Sequence, residues 1–259
     1  MIIPPRLLLV RKFINMTDKD SYWKRFDTKR LTNQRYGERR FIRGLKEQVD
    51  TILAVLPQAG AAAIVNDLDQ FLKTEPLKEA YKDVYGKVGG DFARDSFTSL
   101  TGKSQKAESD WIEYMRNFAT TQAGTRIQRV SDVTLRRVRR GLEQGISEGL
   151  GTEEIARLIE DSNAVNRVRA RVIARTEIIS ASNAGADLGA RSTGLTLEKE
   201  WLTSVDGRER EEHAIANGQT VDMDEDFVVG GEQCKHPGDP VLSAGNVINC
   251  RCVHVFLPQ

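Results

Sequence analysis

The sequence predicts a mostly α N-terminal part followed by a C-terminal α+β domain in which a long helix packs on a small β-sheet. Three observations lead there. Apolar residues recur at helical spacing from Tyr36 to Leu188. No proline occurs between Pro76 and Pro237, which keeps the middle of the chain free of the residue that most disrupts helix interiors. Beyond Gly194 the texture changes to short apolar runs separated by Gly, Asn and Pro turns.

Each element follows from its own pattern. Phe41, Ile42, Leu45, Val49, Ile52, Leu53 and Leu56 repeat as one helical face, Arg39, Arg43 and Lys46 share another, and Pro57 is expected to end the run. Ile64, Val65, Leu68, Phe71 and Leu72 mark a second helix. Thr74 with Pro76 behind it reads as the start of a third, carrying Leu77, Ala80, Tyr81, Val84 and Val88. Trp111, Ile112, Met115 and Phe118 define a fourth. Val133, Leu135, Val138, Leu142 and Ile146 give a fifth, punctuated by Gly149 and Gly151. Thr152 is placed as an N-cap with Glu153 and Glu154 in the first turn, where the helix dipole favours acids. A long helix is expected from about Asn166 to Leu188.

The end of the chain reads differently. Leu197 to Val205 is expected as a strand containing Trp201, and Asp206-Gly207 as a turn. Arg208 to Ala216 reads as a short polar helix stopped by Asn217-Gly218, and Val221 to Val229 as extended or irregular. Val247 to Leu257 alternates as a closing strand, with Cys250, Cys252, His254 and Phe256 on one side.

Composition and charge narrow the function classes. The opening MIIPPRLLLVRKF does not read as a secretory leader, because Pro4, Pro5 and Arg6 interrupt it and no small-residue cleavage site follows. No stretch approaches the roughly 20 apolar residues that span a bilayer. Three cysteines, an odd number, do not make a disulfide framework, so a reducing cytoplasm is the expected folding compartment. The net charge of +1 hides an asymmetry. Residues 1–50 carry 13 Lys+Arg against 6 Asp+Glu, whereas residues 198–240 carry 4 against 12. The front can therefore meet phosphate or an acidic surface, and the acidic segment would be repelled by phosphate. Residues 124–175 hold eleven arginines and no lysine, alongside seven acids. Arginine forks suit carboxylates in an interface as well as phosphate.

All cysteines and histidines fall between His213 and His254. Cys234, His236, Cys250 and Cys252 are the right donor types for tetrahedral zinc, but zinc pairs normally have two to four intervening residues. On a flat strand, side chains at i and i+2 share a face yet stand well apart. The alternatives are a disulfide from Cys234 to Cys250 or Cys252, and free buried cysteines packing as small apolar residues; the spacing favours the last. His213 could act as a base beside Glu177, Asp206 or Glu212, but no nucleophile elbow, phosphate loop or paired-histidine spacing accompanies it. Arg175 and Glu177, amid Ile173, Ala174, Ile178 and Ile179, must be paired if buried.

Four segments occur in order: "ARTEIISASNAG" (174–185), "KEWLTSVDGREREEHAIANGQTV" (199–221), "PGDP" (237–240) and "NCRC" (249–252). Together they resemble the phage Mu F-like minor head protein family, also called phage head morphogenesis proteins, over roughly residues 125–257. The resemblance implies a division into a helical N-terminal region, 1–124, that contacts portal or DNA, and a head morphogenesis domain, 125–259. It implies a virion component bound in few copies to the phage portal protein, inside the head at the portal vertex and in the host cytoplasm during assembly. Head assembly and DNA packaging or ejection are the implied roles, with packaged double-stranded DNA as a second partner and no membrane, catalytic residue or cofactor. By position, the motif residues are Arg175, Thr176, Glu177, Asn183, Trp201, Asp206, Arg208, His213, Gly218, Pro237, Pro240, Asn249, Cys250, Arg251 and Cys252. Cys234 and His236 lie outside that pattern, which leaves His213 with Cys250 and Cys252 as a smaller metal set. Arg175, Glu177, Asn183, Asp206, Arg208 and His213 are expected to form a structural polar network. Arg39, Arg40, Arg43, Arg136, Arg137, Arg139 and Arg140 are expected to meet portal or DNA. The alternative is a nuclease or transferase-like enzyme domain acting on DNA or host components.

Overall fold

The computed structural model describes residues 16–104, 108–162, 164–204 and 206–259. The opening segment read above against a secretory leader lies outside them, as does Val205 at the end of the first expected strand. Helix α1 (Met16–Ala59) comes first, followed by α2 (Ala61–Asn66), α3 (Leu68–Phe71) and α4 (Glu75–Val84). A π-helical turn, Tyr85–Gly89, leads into α5 (Gly90–Thr101), and then come α6 (Glu108–Thr121), α7 (Gly124–Ser147), α8 (Thr152–Asp161) and α9 (Arg167–Arg191). The C-terminal part contains β1 (Leu197–Leu202), α10 (Glu211–Ala216), β2 (Thr220–Asp222), β3 (Phe227–Val229), β4 (Glu232–Cys234), α11 (Ala244–Val247) and β5 (Val253–Pro258). The fold class is the expected one: a mostly α front and an α+β end.

Helix α9 organises the molecule. From Ile173 to Ala186 every residue except Arg175 is buried, so the helix is enclosed around its circumference rather than on one stripe. Its small residues make that enclosure possible. A methyl group on Gly185 would stand 2.1 Å from the backbone oxygen of Gly89, and one on Gly189 2.1 Å from that of Ala93. The π-helical turn and α5 therefore touch α9 backbone to backbone. On another side, Gly37 of α1 admits Ile178.

One apolar cluster joins Phe26, Phe41 and Leu45 of α1, Tyr81 and Tyr85, Met115, Ile178 and Ile179 of α9, and Val255 and Phe256 of β5. It draws on residues from both sides of position 124, so the small sheet seats directly on the helical part. A second cluster closes the far end of α1 with α2, α3, α7 and α8, through Val49, Ile52, Ile64, Leu68, Leu142 and Ile159. The sheet is antiparallel in the order β2-β1-β5, with Trp201 opposite His254 and Lys199 opposite Phe256. Strands β3 and β4 pair as a hairpin through Gly230-Gly231, both at positive φ (57° and 78°), the backbone that a two-residue primed turn requires.

Several boundaries differ from those expected. Helix α1 continues through Pro57 to Ala59; a proline so near the end removes only one hydrogen bond of a turn that is about to stop. The second expected helix is broken at Asp67. Thr74 precedes α4 without a side-chain cap, and its carbonyl oxygen instead accepts from Leu77 and Lys78. Gly151, not Thr152, caps α8, and the Glu154 carboxylate accepts the Gly151 N–H at 2.9 Å. The largest correction concerns the closing strand. It starts at Val253, so Cys250 and Cys252 precede it instead of lining one face of it. Asn249 takes a left-handed conformation, φ 58°, and the Cys250 N–H turns back to the Val247 oxygen at 3.0 Å. Asparagine tolerates that region better than most residues.

Candidate functional site

The turn that replaces the expected strand builds the most concentrated chemistry in the described residues. With the chain reversed at Asn249, the two thiols at i and i+2 converge instead of standing apart on a pleat. Both meet His213, which projects from α10. His213 Nδ1 lies 3.2 Å from Cys252 Sγ and 3.6 Å from Cys250 Sγ, and the Cys252 N–H donates to Cys250 Sγ at 3.4 Å. All three side chains are at most 3% exposed. Trp201, edge-to-face with His213 at 6.0 Å, and Phe227, edge-to-face with Trp201 at 5.4 Å, form apolar walls. Hydrogen bonding from Cys252 holds the Cys250 thiol well below its ordinary range, against burial and with help from His213. The same contact, together with burial, pushes Cys252 up.

The central helix holds this turn in place. Asn183 donates to the carbonyl oxygens of Pro237 at 3.0 Å and Cys252 at 3.1 Å, and the Thr176 hydroxyl accepts the Asn249 N–H at 3.2 Å. Outside, Arg251 clasps Asp206 with two bonds of 2.5 and 2.7 Å, and Arg208 adds a third at 3.0 Å. These bonds pull the exposed Asp206 carboxyl far below its ordinary value. Most of the motif residues thus serve one job: tying the 237–240 and 249–252 loops to α9 and to the turn after β1.

The expected polar network separates into three groups. Glu177, 3% exposed, accepts from the Tyr85 hydroxyl at 2.7 Å and from Arg126 at 3.2 Å. Arg126 also donates to the carbonyl oxygens of Gly238 and Asp239 at 2.9 and 2.7 Å. Burial first, and then the Glu177 charge, hold Tyr85 protonated well beyond its ordinary range. Asn183 and His213 belong to the cysteine turn, and Asp206 with Arg208 to the surface clasp. Arg175 is half-buried, and the cation that neutralises Glu177 is Arg126 instead. Sequence reasoning passed over Arg126 and Tyr85; the lysine-free arginine run containing Arg126 was the available signal.

Of the four expected metal donors, Cys250 and Cys252 come together, but Cys234 and His236 do not join them. Among the described residues, the group whose donor atoms lie within 4.8 Å of one another is His213, Cys250 and Cys252. Cys234 ends β4 as a buried free thiol, raised by burial, so neither proposed disulfide forms. His236 sits against the Pro237 oxygen at 3.1 Å and stacks on His254. The expected basic contacts divide as well. Arg40 pairs with Asp83 at 3.3 Å, and Arg43 with Glu47 at 3.2 Å. Arg139 donates to the Val65 oxygen at 2.7 Å, and Arg137 is half-buried. Arg39, Arg136 and Arg140 are exposed, with no ion pair among the described residues.

The fold and site describe an architecture: a small antiparallel sheet whose loops are pinned to an enclosed central helix by that helix's own polar residues. Residues 136–255 match the family described as Phage Mu protein F like protein, which bears out the resemblance read from the motifs. Among relatives, the minor head protein GP7 of Bacillus phage SPP1 is 28% identical over 120 residues, 45% of this chain and 38% of that protein. The Bacillus subtilis uncharacterized protein YqbB is 32% identical over 116 residues, 43% of this chain and 38% of that protein. An Enterococcus faecalis protein named NAD(+)--arginine ADP-ribosyltransferase EFV is 25% identical over 215 residues, 80% of this chain and 43% of that protein. The chain spans less than half the length of these curated relatives. No solved structure matches it significantly.

Proposed function

We propose that the chain is a minor head protein of a tailed bacteriophage or prophage. In this reading it binds the portal protein inside the head in few copies and acts in head assembly and in DNA packaging or ejection. The observation that carries the proposal is the Mu F-like match over residues 136–255, and the similarity to a minor head protein supports it. The helical region 1–124 is proposed to contact portal or DNA, with 125–259 as the head morphogenesis domain. Of the cations expected to make these contacts, Arg39 on α1 and Arg136 and Arg140, one turn apart on α7, are exposed and without an ion pair among the described residues. Coexpression with the portal protein of the same phage or prophage tests the proposal: a complex that survives size exclusion is expected, and separate elution overturns it. If Arg136 and Arg140 meet phosphate, Arg136→Glu with Arg140→Glu weakens duplex DNA binding about tenfold or more and flattens its dependence on salt.

A transferase reading has one observation in its favour, the similarity to the protein named as an ADP-ribosyltransferase. That similarity covers 43% of the relative, and the proposal here is that the shared part is a non-catalytic module. Transfer of label from NAD to arginine-containing protein by the purified chain would reverse that assignment.

A further inference from the structure

We infer that His213, Cys250 and Cys252 form a binding site for a zinc-class divalent cation that staples α10 to the end of the chain. This inference is independent of whether the chain serves in a phage head.

Geometry is the first support. With Zn–S bonds of about 2.3 Å and Zn–N bonds of about 2.0 Å at tetrahedral angles, nitrogen and sulfur stand about 3.5 Å apart. His213 Nδ1 lies 3.2 and 3.6 Å from the two sulfurs. An imidazole nitrogen carries either one hydrogen or one lone pair, so two sulfurs must share it in a three-centre bond weaker than a single full one. Both separations match those of a cation held among the three atoms.

The surroundings are the second support. His213 is 2% exposed, so its Nδ1 faces the two sulfurs with almost no access to solvent. The Cys250 sulfur receives a backbone N–H, the kind of outer-shell bond that orients a thiolate ligand. Trp201 stands edge-to-face with His213 at 6.0 Å and closes the three donor atoms off from solvent.

The site also answers a structural need. Helix α10 has six residues, too few to hold together alone in water, and Asn249 keeps a left-handed backbone. A cation bound from both sides would fix each to the other. Cys234, in the same apolar cluster, is assigned no part.

The test uses the purified full chain produced in zinc-supplemented medium. Elemental analysis is expected to find equimolar zinc. Cobalt substitution is expected to give thiolate charge-transfer absorption and the intense visible bands of tetrahedral coordination. Cys250→Ser and Cys252→Ser should each lose the metal, whereas Cys234→Ser should keep it. Wild-type chain that takes up neither zinc nor cobalt overturns the inference even if the serine variants fail to fold. Metal retained in both Cys250→Ser and Cys252→Ser, metal lost in Cys234→Ser, or a Cys250–Cys252 disulfide in the fresh protein would each overturn it as well.

Discussion

Two buried polar groups, one reaching the 237–240 loop and the other built on the 249–252 turn, are satisfied in different ways. Around Glu177, a carboxylate, a guanidinium, a phenol and two carbonyl oxygens answer one another's charge and hydrogen bonds. Around His213, two thiols and an imidazole converge, with one ring nitrogen unpartnered. The first group is complete from protein atoms alone. The second contains only donor atoms of the kind that hold a cation. Burial by itself therefore does not separate a structural network from a ligand site; the balance of charge and partners inside it does.

The sharpest way to break this comparison is at Glu177. Glu177→Ala leaves the Arg126 cation buried without a counter-charge and is expected to cost about 3–5 kcal/mol, measured by urea denaturation. Replacing the pair together, Arg126→Met with Glu177→Leu, is expected to cost clearly less than Glu177→Ala, because no lone charge remains. A double variant as unstable as the single one would show that the network is held by something other than its charges. Next comes the close approach that positions the network. Gly185→Ala puts a methyl group 2.1 Å from the Gly89 oxygen, and an overpacking loss of about 3 kcal/mol is expected from the shift in thermal unfolding.

Asn183 links the two groups, since its amide holds the Pro237 and Cys252 carbonyl oxygens at once. Asn183→Ala is expected to cost about 1–3 kcal/mol by taking a buried donor from both oxygens, of which the Pro237 oxygen keeps only His236. If the ligand site depends on that anchoring, the same variant also weakens cobalt binding while the Glu177 group stays intact. The smallest effect belongs to the surface clasp. Its bonds to Arg251 and Arg208 depress the Asp206 pKa, so the stability it contributes is fully present above the ordinary value of 3.8. That contribution fades as the pH falls below this value and the carboxyl takes up a proton. The stability difference between wild type and Asp206→Asn should thus shrink on titration from about pH 5 downward, and a constant difference would assign Asp206 a role other than its charge.

Much of the fold was legible in the sequence because apolar spacing is local information. The faces of α1 and α4 follow it, those of α6 and α7 do so apart from the exposed Ile112 and Ile146, and the long α9 begins at the expected cap, where the Asn166 side chain accepts the Arg169 N–H at 2.6 Å. The candidate site was legible only in part. His213, Cys250 and Cys252 were visible as motif residues, but alternation from Val247 to Leu257 imitated a strand and kept the thiols apart. The local pattern could not show that Asn249 reverses the chain, because what holds the reversal is Thr176, on a helix far away in sequence. Arg126 was hidden for a similar reason: nothing nearby marks one arginine in a long run as the partner of Glu177.

By itself, then, the sequence determined the fold class, the order of the motifs and the residue types available for chemistry. Periodicity, capping and turn residues act over a few neighbours and can be read without a partner. Only the tertiary structure decided which cation meets Glu177, how closely α9 approaches the π-helical turn, and that two cysteines one residue apart face the same imidazole. Those outcomes depend on contacts between segments separated by tens of residues, where the energy of burying a charge or closing a gap is set by whatever the fold brings alongside.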